Sequence, residues 1–395
     1  MRPGENYEVS PAAVECDEAL LKLDRSIDWL HHLSPTGNHE RWDAFKASGY
    51  REAPSLTYPK VEIDLEEARR ELQSLPITDV REPRFQALLR AKQAELNLQL
   101  ELLAQRDKAG FQAISIELFG GVEAVLLSDA KRILETAPVG ENIPEEVGAE
   151  EIAGEARAEI DSYREAAPDI WAEVHVVDDL NSMMMVNHGH LYIDRDSRLP
   201  EARLCPLIAH EVGVHVVTRY NGFHQPLHLF EAGTAHYDAL QEGLGTFAEF
   251  VAGFLPPARL RVIAARVLAC EAALRGEDLP SIFSLLKEEV ELPEHDAFDT
   301  AVRALRGGGL TKDACYLRGL KGLLEALAAG EDFETFFCGK FDLGHLPVIR
   351  TLLEEGFLEP PLILPAFLNR EGAAKRLDLA RTIDLADLYQ EEPCP

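Results

Sequence analysis

The sequence predicts an α+β protein that is mostly helical, with a small and largely antiparallel sheet in the middle of the chain. Apolar residues recur at spacings of three and four along most of the 395 residues, which is the period of a helix packed on one face. Residues 172–194 instead alternate apolar and polar positions and are rich in β-branched side chains, which favours strands. With 46% hydrophobic residues, the chain has enough apolar material for a large core.

Helical periodicity defines the elements on both sides of the predicted sheet. The expected helices cover 12–33, 64–74, 84–106, 200–219, 237–252, 256–275, 296–306 and 312–329. Asn187-His188-Gly189 separates two strand-like runs and predicts a β-hairpin or two adjacent strands. Gly307-Gly308-Gly309 predicts a hinge or tight loop between the last two of these helices.

Composition limits the partners and the compartment. Lys and Arg number 39 against 69 Asp and Glu, a net charge of −30, which disfavours nucleic acid and anionic membranes as partners. No apolar run approaches the roughly 18 residues needed to cross a bilayer, and the N-terminus lacks the pattern of a secretory signal. The six cysteines are scattered, which is typical of reduced thiols, so we expect a cytoplasmic protein in which Cys394 is exposed. The acidic stretch 141–165 is typical of a solvated helix face or loop.

A histidine–glutamate pattern in the segment 207–220 carries the functional hypothesis. His210, Glu211 and His215 form H-E-x-x-x-H, one residue longer than the H-E-x-x-H pattern in which two histidines share a helix face and bind zinc. On an ideal helix the five-residue spacing separates the two histidines by about 140° around the axis, so both rings cannot reach one ion. A π-type bulge takes up one extra residue and would bring them together, and Gly213 tolerates both the distortion and a close neighbour.

A third ligand would complete a metal site. Glu242 lies 27 residues after His215, in what the pattern indicates is a second amphipathic helix. Two histidines and one glutamate, with a fourth position left open, form the ligand set of thermolysin-like zinc peptidases, and zinc suits nitrogen and oxygen donors. Two alternatives stay open at this point. The motif is a chance occurrence with buried, metal-free histidines, or ligands come from His224, His228 or His236, which are more typical of loop or surface positions.

Several segments together resemble the QEGLA-motif family, long described as a domain of unknown function. Some bacterial members are called flavohemoglobin expression-modulating proteins. Eukaryotic relatives include the microtubule-associated tyrosine carboxypeptidase, a zinc peptidase that removes the C-terminal tyrosine of α-tubulin. The resemblance covers most of the chain from about residue 60 onward. It rests on HEVGVH at 210–215, Asn221-Gly222, Gln225-Pro226-Leu227, QEGL at 241–244 and the segments 119–134, 193–204, 307–320 and 339–368.

The resemblance implies roles for the residues of the motif. His210, His215 and Glu242 would bind zinc, and Glu211 would be the catalytic base that takes a proton from the attacking water. The intact Glu211 favours an enzyme, because a structural metal site does not need a free carboxylate beside its first ligand. Gly245 stands where the family motif ends in Ala; it lies outside the ligand set, and we expect it to add backbone freedom.

The same resemblance implies the activity and the division of the chain. We expect a zinc metallopeptidase, a carboxypeptidase that acts on the C-terminus of a peptide or protein; the preference over an endopeptidase rests on the resemblance. The alternative is a metal-binding regulatory or protein-interaction module without peptidase activity, which a closed four-ligand site would favour. The chain is expected to consist of an N-terminal helical extension, a gluzincin-like catalytic domain and a flexible tail, at 1–60, 61–385 and 386–395.

A peptidase of this kind also needs an oxyanion donor and a cation for the terminal carboxylate. Tyr316 is the first candidate for the donor, ahead of Tyr237 and Tyr220. Either Asp313 or Asp238 is expected to orient a ligand histidine. The candidate carboxylate-binding cations flank the motifs and are Arg195, Arg198, Arg203, Arg219, Lys312 and Arg318. Each of them could instead be a structural ion-pair partner, but their clustering predicts a locally positive pocket in an acidic protein.

Overall fold

The structure is a computed structural model that describes residues 9–140, 143–178, 180 and 182–393. Within these ranges the chain is mostly helical with two small sheets, which confirms the α+β prediction. Cys394 and the first eight residues of the expected N-terminal extension lie outside the described residues.

The α-helices account for most of the described chain. They are α1 Pro11–Ile27, α2 Trp29–Leu33, α3 Asn38–Ala47, α4 Leu65–Ser74, α5 Pro83–Ala104, α6 Phe111–Phe119, α7 Ala124–Thr136, α8 Ala149–Tyr163, α9 Glu201–Ile208, α10 Val217–Phe223, α11 Leu229–Ala232, α12 Asp238–Ala252, α13 Pro257–Leu274, α14 Leu279–Ser284, α15 Glu294–Leu305, α16 Cys315–Ala328, α17 Leu346–Glu354 and α18 Ala373–Ala380. Two π-helical segments, Ala209–Val216 and Leu285–Glu289, follow α9 and α14. Short 3-10 turns cover Ile77–Asp79, Arg306–Gly308, Lys312–Ala314, Phe333–Phe337, Leu343–His345, Ala366–Asn369 and Leu385–Asp387.

The strands form one sheet of two strands and one of three. They are β1 Val147–Gly148, β2 Val174–Val177, β3 Met184–Asn187, β4 His190–Asp194 and β5 Arg198–Leu199. β1 and β5 pair antiparallel, and the larger sheet has the order β2-β4-β3, with β2 parallel and β3 antiparallel to the central β4. Two of the three pairings are therefore antiparallel, as the sequence predicts.

The predicted hairpin is confirmed at residues 184–194. Asn187 pairs with His190, so only His188 and Gly189 form the loop, and both have positive φ, 48° and 84°. Two consecutive residues with positive φ are the geometry of the tight turns that match the twist of a hairpin. In β4 the alternate residues Leu191 and Ile193 are buried, which holds the sheet on the core.

Most predicted helices are present, with one correction at the N-terminal end. The periodicity at 12–33 predicts one helix, but the chain breaks it into α1 and α2 at Asp28, which adopts φ 34° and ψ 51°. A left-handed residue ends an α-helix, and hydrophobic periodicity does not detect it because the apolar side chains on both sides still face the core. Gly307-Gly308-Gly309 forms the tight loop, with positive φ at all three glycines.

Buried polar side chains of the familial segments tie distant parts of the fold together. Asn221, in α10, donates through Nδ2 to the carbonyl oxygens of Phe337 and Ile363 at 2.8 and 2.9 Å, and its Oδ1 accepts from the amides of Leu362 and Ile363. Gln225 donates through Nε2 to the carbonyl oxygens of Cys338 and Glu359, and its Oε1 accepts from the amide of Glu359. These residues hold the segments 337–338 and 359–363 against the end of α10, a structural role.

The described helices offer one weak candidate for a membrane-spanning segment. Among the described residues, no single helix combines the length and apolarity that a bilayer crossing needs; α6 and α7, bent by 81°, pass only as a pair and only by length and composition.

Candidate metal centre

The H-E-x-x-x-H motif lies in a π-helical turn. Residues 209–216 are π-helical and continue without interruption from α9 into α10, which confirms the bulge predicted from the spacing of the histidines. The π turn places His210 and His215 side by side, with ring centroids 5.1 Å apart. A Cβ at Gly213 would lie 3.0 Å from Cδ1 of Phe367, so the glycine also allows the close neighbour that we expect.

The three candidate ligands come together at this turn. One donor atom each of His210, His215 and Glu242 lies within 4.8 Å of the other two, and His210 Nε2 is 3.9 Å from Glu242 Oε2. No further His, Cys, Asp or Glu of the described residues joins this group. Two imidazoles and one carboxylate suit a zinc-class ion and leave a coordination position open, so the donor set fits the metal that the sequence predicts.

Both histidines are held by acceptors on α12. His210 Nδ1 is 2.9 Å from Oε1 of Glu249, and His215 Nδ1 is 3.3 Å from Oε1 of Gln241. An acceptor on Nδ1 fixes the ring and leaves Nε2 for the ion, which is the usual support of a histidine ligand. Glu249 is fully buried and is ionised at neutral pH: burial opposes its charge, but Arg259 and Arg203 hold its pKa well below the usual range.

Gly245 lies directly beside the ring of His210, the first candidate ligand. A Cβ at this position would lie 2.5 Å from Nε2 of His210 and 2.7 Å from two ring carbons. The expectation that this glycine only adds backbone freedom is therefore incomplete. The glycine makes room for the His210 ring, and an alanine would crowd it.

Glycine contacts position α12 against α16. A Cβ at Gly243 would lie 2.2 Å from the carbonyl carbon of Gly319, and one at Gly319 would lie 1.5 Å from the carbonyl oxygen of Ala239. Backbones approach this closely only where both side chains are absent. The contact brings Glu242 on α12 next to Tyr316 on α16.

Glu242 is ionised in this setting. Burial raises its pKa, but Lys312, both histidines and a hydrogen bond from Tyr316 lower it to about 2. Lys312 Nζ is 3.5 Å from Glu242 Oε1 and 2.8 Å from Asp238 Oδ1. Because carboxylate ligands must be deprotonated, this environment prepares Glu242 for a cation.

Glu211 faces the same space without joining the ligand group. Burial, together with the charges of Glu242 and Glu249, raises its pKa to about 7, while His210 and Arg259 oppose the shift. The motif and Tyr316 line one large cavity of about 1690 Å³. Strand β3 lines this cavity too and is one of the two edge strands of its sheet.

The sequence profile described as microtubule-associated tyrosine carboxypeptidase matches residues 43–384, which include all three candidate ligands. The chain belongs to the microtubule-associated tyrosine carboxypeptidase family. No curated protein matches the chain at a significant level. Among solved structures, the putative lipoprotein from Colwellia psychrerythraea is similar, with 14% identity and a TM-score of 0.43, over 85% of this chain and 72% of the other.

In this family member the six predicted carboxylate-binding cations occupy different places. Arg198, Arg203, Arg219 and Lys312 line the cavity, whereas Arg195 and Arg318 are not among its lining residues. Arg195 is exposed and pairs with Asp178, and Arg318 donates to the carbonyl oxygens of Phe119 and Gly121.

The cations that do line the cavity mostly have acidic partners. Arg203 Nη1 is 2.7 Å from Glu249, and Arg219 Nη2 is 2.6 Å from Glu231. Arg198 donates to the carbonyl oxygen of its neighbour Ser197. Arg219 keeps one buried nitrogen, Nη1, without a hydrogen-bond partner in the described chain.

The predicted tyrosines and aspartates also differ in whether they reach the cavity and in which residues they contact. Tyr316 and Tyr237 line the cavity, whereas the Tyr220 hydroxyl donates to Asp169 at 2.6 Å. Asp313 pairs with Arg303, and Asp238 pairs with Lys312. The Nδ1 atoms of His210 and His215 instead face Glu249 and Gln241.

Four further cations of the cavity lining were not predicted from the sequence. They are Arg259 and Arg266 of α13, Arg303 of α15 and Arg306 of the following turn, and with the predicted Lys312 they form a cationic wall. Arg266 lies 4.5 Å from the centre of the Tyr316 ring, and its Nε and Nη1 have no hydrogen-bond partner in the described chain. Acidic side chains, among them Asp296 and Asp299, line the same cavity, so its lining is of mixed charge and not uniformly positive.

Spacing could have revealed one of the missed residues. Glu249 follows Glu242 by seven residues, which is two helical turns and therefore the same helix face. Gln241 precedes the ligand glutamate directly, but sequence does not show that its amide turns towards His215.

Proposed function

We propose that this chain is a zinc-dependent carboxypeptidase that hydrolyses the C-terminal peptide bond of a peptide or protein. The observation that carries the proposal is the convergence of His210, His215 and Glu242 beside Glu211 in one cavity. When bound, the zinc ion would act as a Lewis acid and lower the pKa of water towards neutrality. Membership in a family described as a tyrosine carboxypeptidase supports the same reaction class.

The chain supplies the proton transfers and the charge stabilisation. Glu211 would take a proton from the attacking water and deliver it to the nitrogen of the leaving residue. Tyr316, whose hydroxyl now bonds to Glu242, would donate to the oxyanion that develops on the scissile carbonyl. Burial raises the pKa of Tyr316 to about 12, so its hydroxyl keeps the proton that this role requires.

Arg266 is the residue we propose for the terminal carboxylate. Arg203 and Lys312 already have carboxylate partners, whereas two guanidinium nitrogens of Arg266 are unpartnered beside Tyr316. An unpaired, desolvated guanidinium binds a carboxylate through two parallel hydrogen bonds. Arg219, with one unpartnered nitrogen, is the second candidate.

The edge strand β3 offers a surface for the substrate backbone. Met184–Asn187 pairs with β4 on one side only within the described sheet, and the strand lines the cavity. An extended peptide could add to this edge through main-chain hydrogen bonds. Such pairing is independent of sequence, so the preference for a terminal residue would come from the pocket beyond it.

The base is tested with Glu211→Gln. We expect a decrease in kcat of about 10²- to 10⁴-fold on a C-terminal peptide library, with stoichiometric zinc retained by elemental analysis. Glu201→Gln, an exposed position of α9, is the control and should be fully active. An equally active Glu211→Gln protein would exclude the proposed base, and stoichiometric zinc without any hydrolysis by the wild type would favour the regulatory alternative.

The carboxylate site is tested with Arg266→Gln and Arg266→Lys. We expect kcat/KM for free-acid peptides to fall about 100-fold, as for a buried charge pair that loses one partner. Peptides with an amidated C-terminus should be equally poor substrates of wild type and variants. Arg195→Gln, whose side chain lies outside the cavity, is the matched control. Unchanged discrimination between acid and amide in the Arg266 variants would assign the carboxylate to another cation.

A further inference from the structure

A second group of metal-type donors lies on the outer edge of the three-stranded sheet. Val174 of β2 pairs with Leu191 of the parallel strand β4, so Glu173 lies beside His190 at the start of the ladder. Glu173 and His175 are two positions apart and project on the same face of β2. His190 projects from β4 on that face, since its neighbour Leu191 is buried on the other.

The side chains of this group are already close to one another. His175 Nε2 lies 3.2 Å from Glu173 Oε2, and His190 Nδ1 accepts the backbone N–H of Glu173 at 3.2 Å. The two imidazole rings have centroids 5.9 Å apart. One donor atom each of Glu173, His175 and His190 lies within 4.8 Å of the other two.

We propose that Glu173, His175 and His190 form a second metal site, separate from the central one, for a zinc-class divalent ion. Two imidazoles and one carboxylate favour Zn²⁺, Co²⁺, Ni²⁺ or Cu²⁺ over Mg²⁺ and Ca²⁺, which require mainly oxygen ligands. None of the three residues lines the central cavity. The remaining coordination positions face solvent, because the side chains of Glu173 and His175 are 66% and 40% exposed.

Part of the site is held in place before an ion binds. The His175 ring stacks on Tyr192, the next residue of β4 on that face, with centroids 5.1 Å apart and planes at 26°. The Nδ1 atom of His190 now accepts the backbone N–H of Glu173, so an ion bound through this nitrogen would replace that hydrogen bond. An ion at this site would join β2 to β4 through side chains, in addition to their backbone ladder.

The outer group is connected to the cavity through strand β4. β4 pairs with β2 on one side and with β3 on the other, and β3 lines the cavity. His190 itself pairs with Asn187, the last residue of β3. A metal ion on the outer edge would therefore restrain the strand on which the hairpin at the cavity is built.

Zinc titration of the full-length, metal-free protein tests the site. We expect two classes of binding in competition with a chromophoric chelator, one tight and one weaker. His175→Asn and His190→Asn should each abolish the weaker class and leave the tight one unchanged, and Glu173→Gln should weaken it about tenfold by removing the charged ligand. All three positions are at the surface, so the variants should fold, which their circular dichroism checks.

His39→Asn provides the matched control. His39 is exposed and 3.9 Å from Asp196, so it has an acidic neighbour but belongs to no donor group of the described residues. Loss of the weaker class in His39→Asn would show non-specific histidine binding and overturn the proposal, as would persistence of that class in His175→Asn. A single class that disappears in His175→Asn would uphold this site and reject the central one, so the two proposals are separated.

Discussion

Two regions of this molecule bring two histidines and one glutamate within metal-binding distance, and their surroundings differ. In the central group, His210 and His215 lie in a π turn, and Glu249 and Gln241 hold their second nitrogens. In the outer group, the His175 ring stacks on Tyr192, and the carboxylate of Glu173 is exposed. Equal donor sets therefore do not have equal surroundings: both histidines of the central group have buried acceptors, and the group lies beside the Glu211 carboxylate in a cavity, whereas the outer group lies on a solvent-exposed sheet face with only the support of a ring stack.

Removing the buried support of the central group should have the largest effect. Glu249→Gln takes away the carboxylate that holds His210 and pairs with Arg203. We expect zinc affinity of the central site to fall about 10- to 100-fold, and the free energy of unfolding to fall by about 3 kcal/mol because a buried arginine loses its partner. Zinc competition and urea denaturation measure the two quantities.

Glu150→Gln, an exposed acid of α8, is the control for the loss of one negative charge and should change neither quantity. The outer site should keep its affinity in Glu249→Gln and serves as an internal reference. If both sites weakened equally, the long-range charge of the protein and not the orientation of His210 would explain the difference between them.

An intermediate effect is expected from the backbone contact that positions Glu242. Gly243→Ala would place a Cβ 2.2 Å from the backbone of Gly319, so α12 and α16 must separate. We expect a loss of about 1–3 kcal/mol in the free energy of unfolding from overpacking, together with weaker zinc binding.

Gly154→Ala, in the middle of α8, is the matched control. A Cβ there meets nothing within 4 Å, so the better helix propensity of alanine should stabilise the protein by up to about 1 kcal/mol. Equal thermal stability of the two variants would contradict the close contact of α12 and α16.

The smallest effect is expected at Gly245. Alanine at this position would crowd the His210 ring, which can rotate slightly away at the expense of ligand geometry. We expect about a tenfold loss of zinc affinity at the central site, with a change of less than about 1 kcal/mol in stability. Isothermal titration with zinc measures the affinity, and an unchanged value would show that the ring has room for a methyl group.

The spacing of residues in the sequence predicted the geometry of the candidate metal centre better than the course of the surrounding backbone. The five-residue separation of His210 and His215 implied the π turn because helix geometry leaves no other way to align the rings. The same reasoning could not find the break at Asp28, where one left-handed residue interrupts an otherwise regular apolar pattern. Periodicity records which side chains face the core, and a change of backbone direction that preserves this is not visible in it.

Ion-pair partners were the least predictable part. Arg203 and Lys312 were selected because they lie near the motifs in sequence, yet they contact Glu249 and Asp238, which are 46 and 74 residues away. Arg266 lies 22 residues after the QEGL segment, outside every quoted motif, and reaches the cavity because α13 lines it. Tertiary packing decides which charged side chains pair, so nearness in sequence is a poor guide to the residues that line the cavity.

The π turn also has a consequence for how this motif can change during evolution. A π turn corresponds to a single-residue insertion in an α-helix, so deleting one residue between the histidines would recreate the shorter H-E-x-x-H pattern and keep the ligands aligned. Because the deletion would remove the bulge itself, His215 and the residues of α10 after it would keep their direction around the helix axis. Asn221 and Gln225 could then keep the carbonyl oxygens of 337–338, 359 and 363 that they now hold. The extra residue is thus a local property of this turn, and its gain or loss requires no compensating change in the C-terminal segments docked on α10.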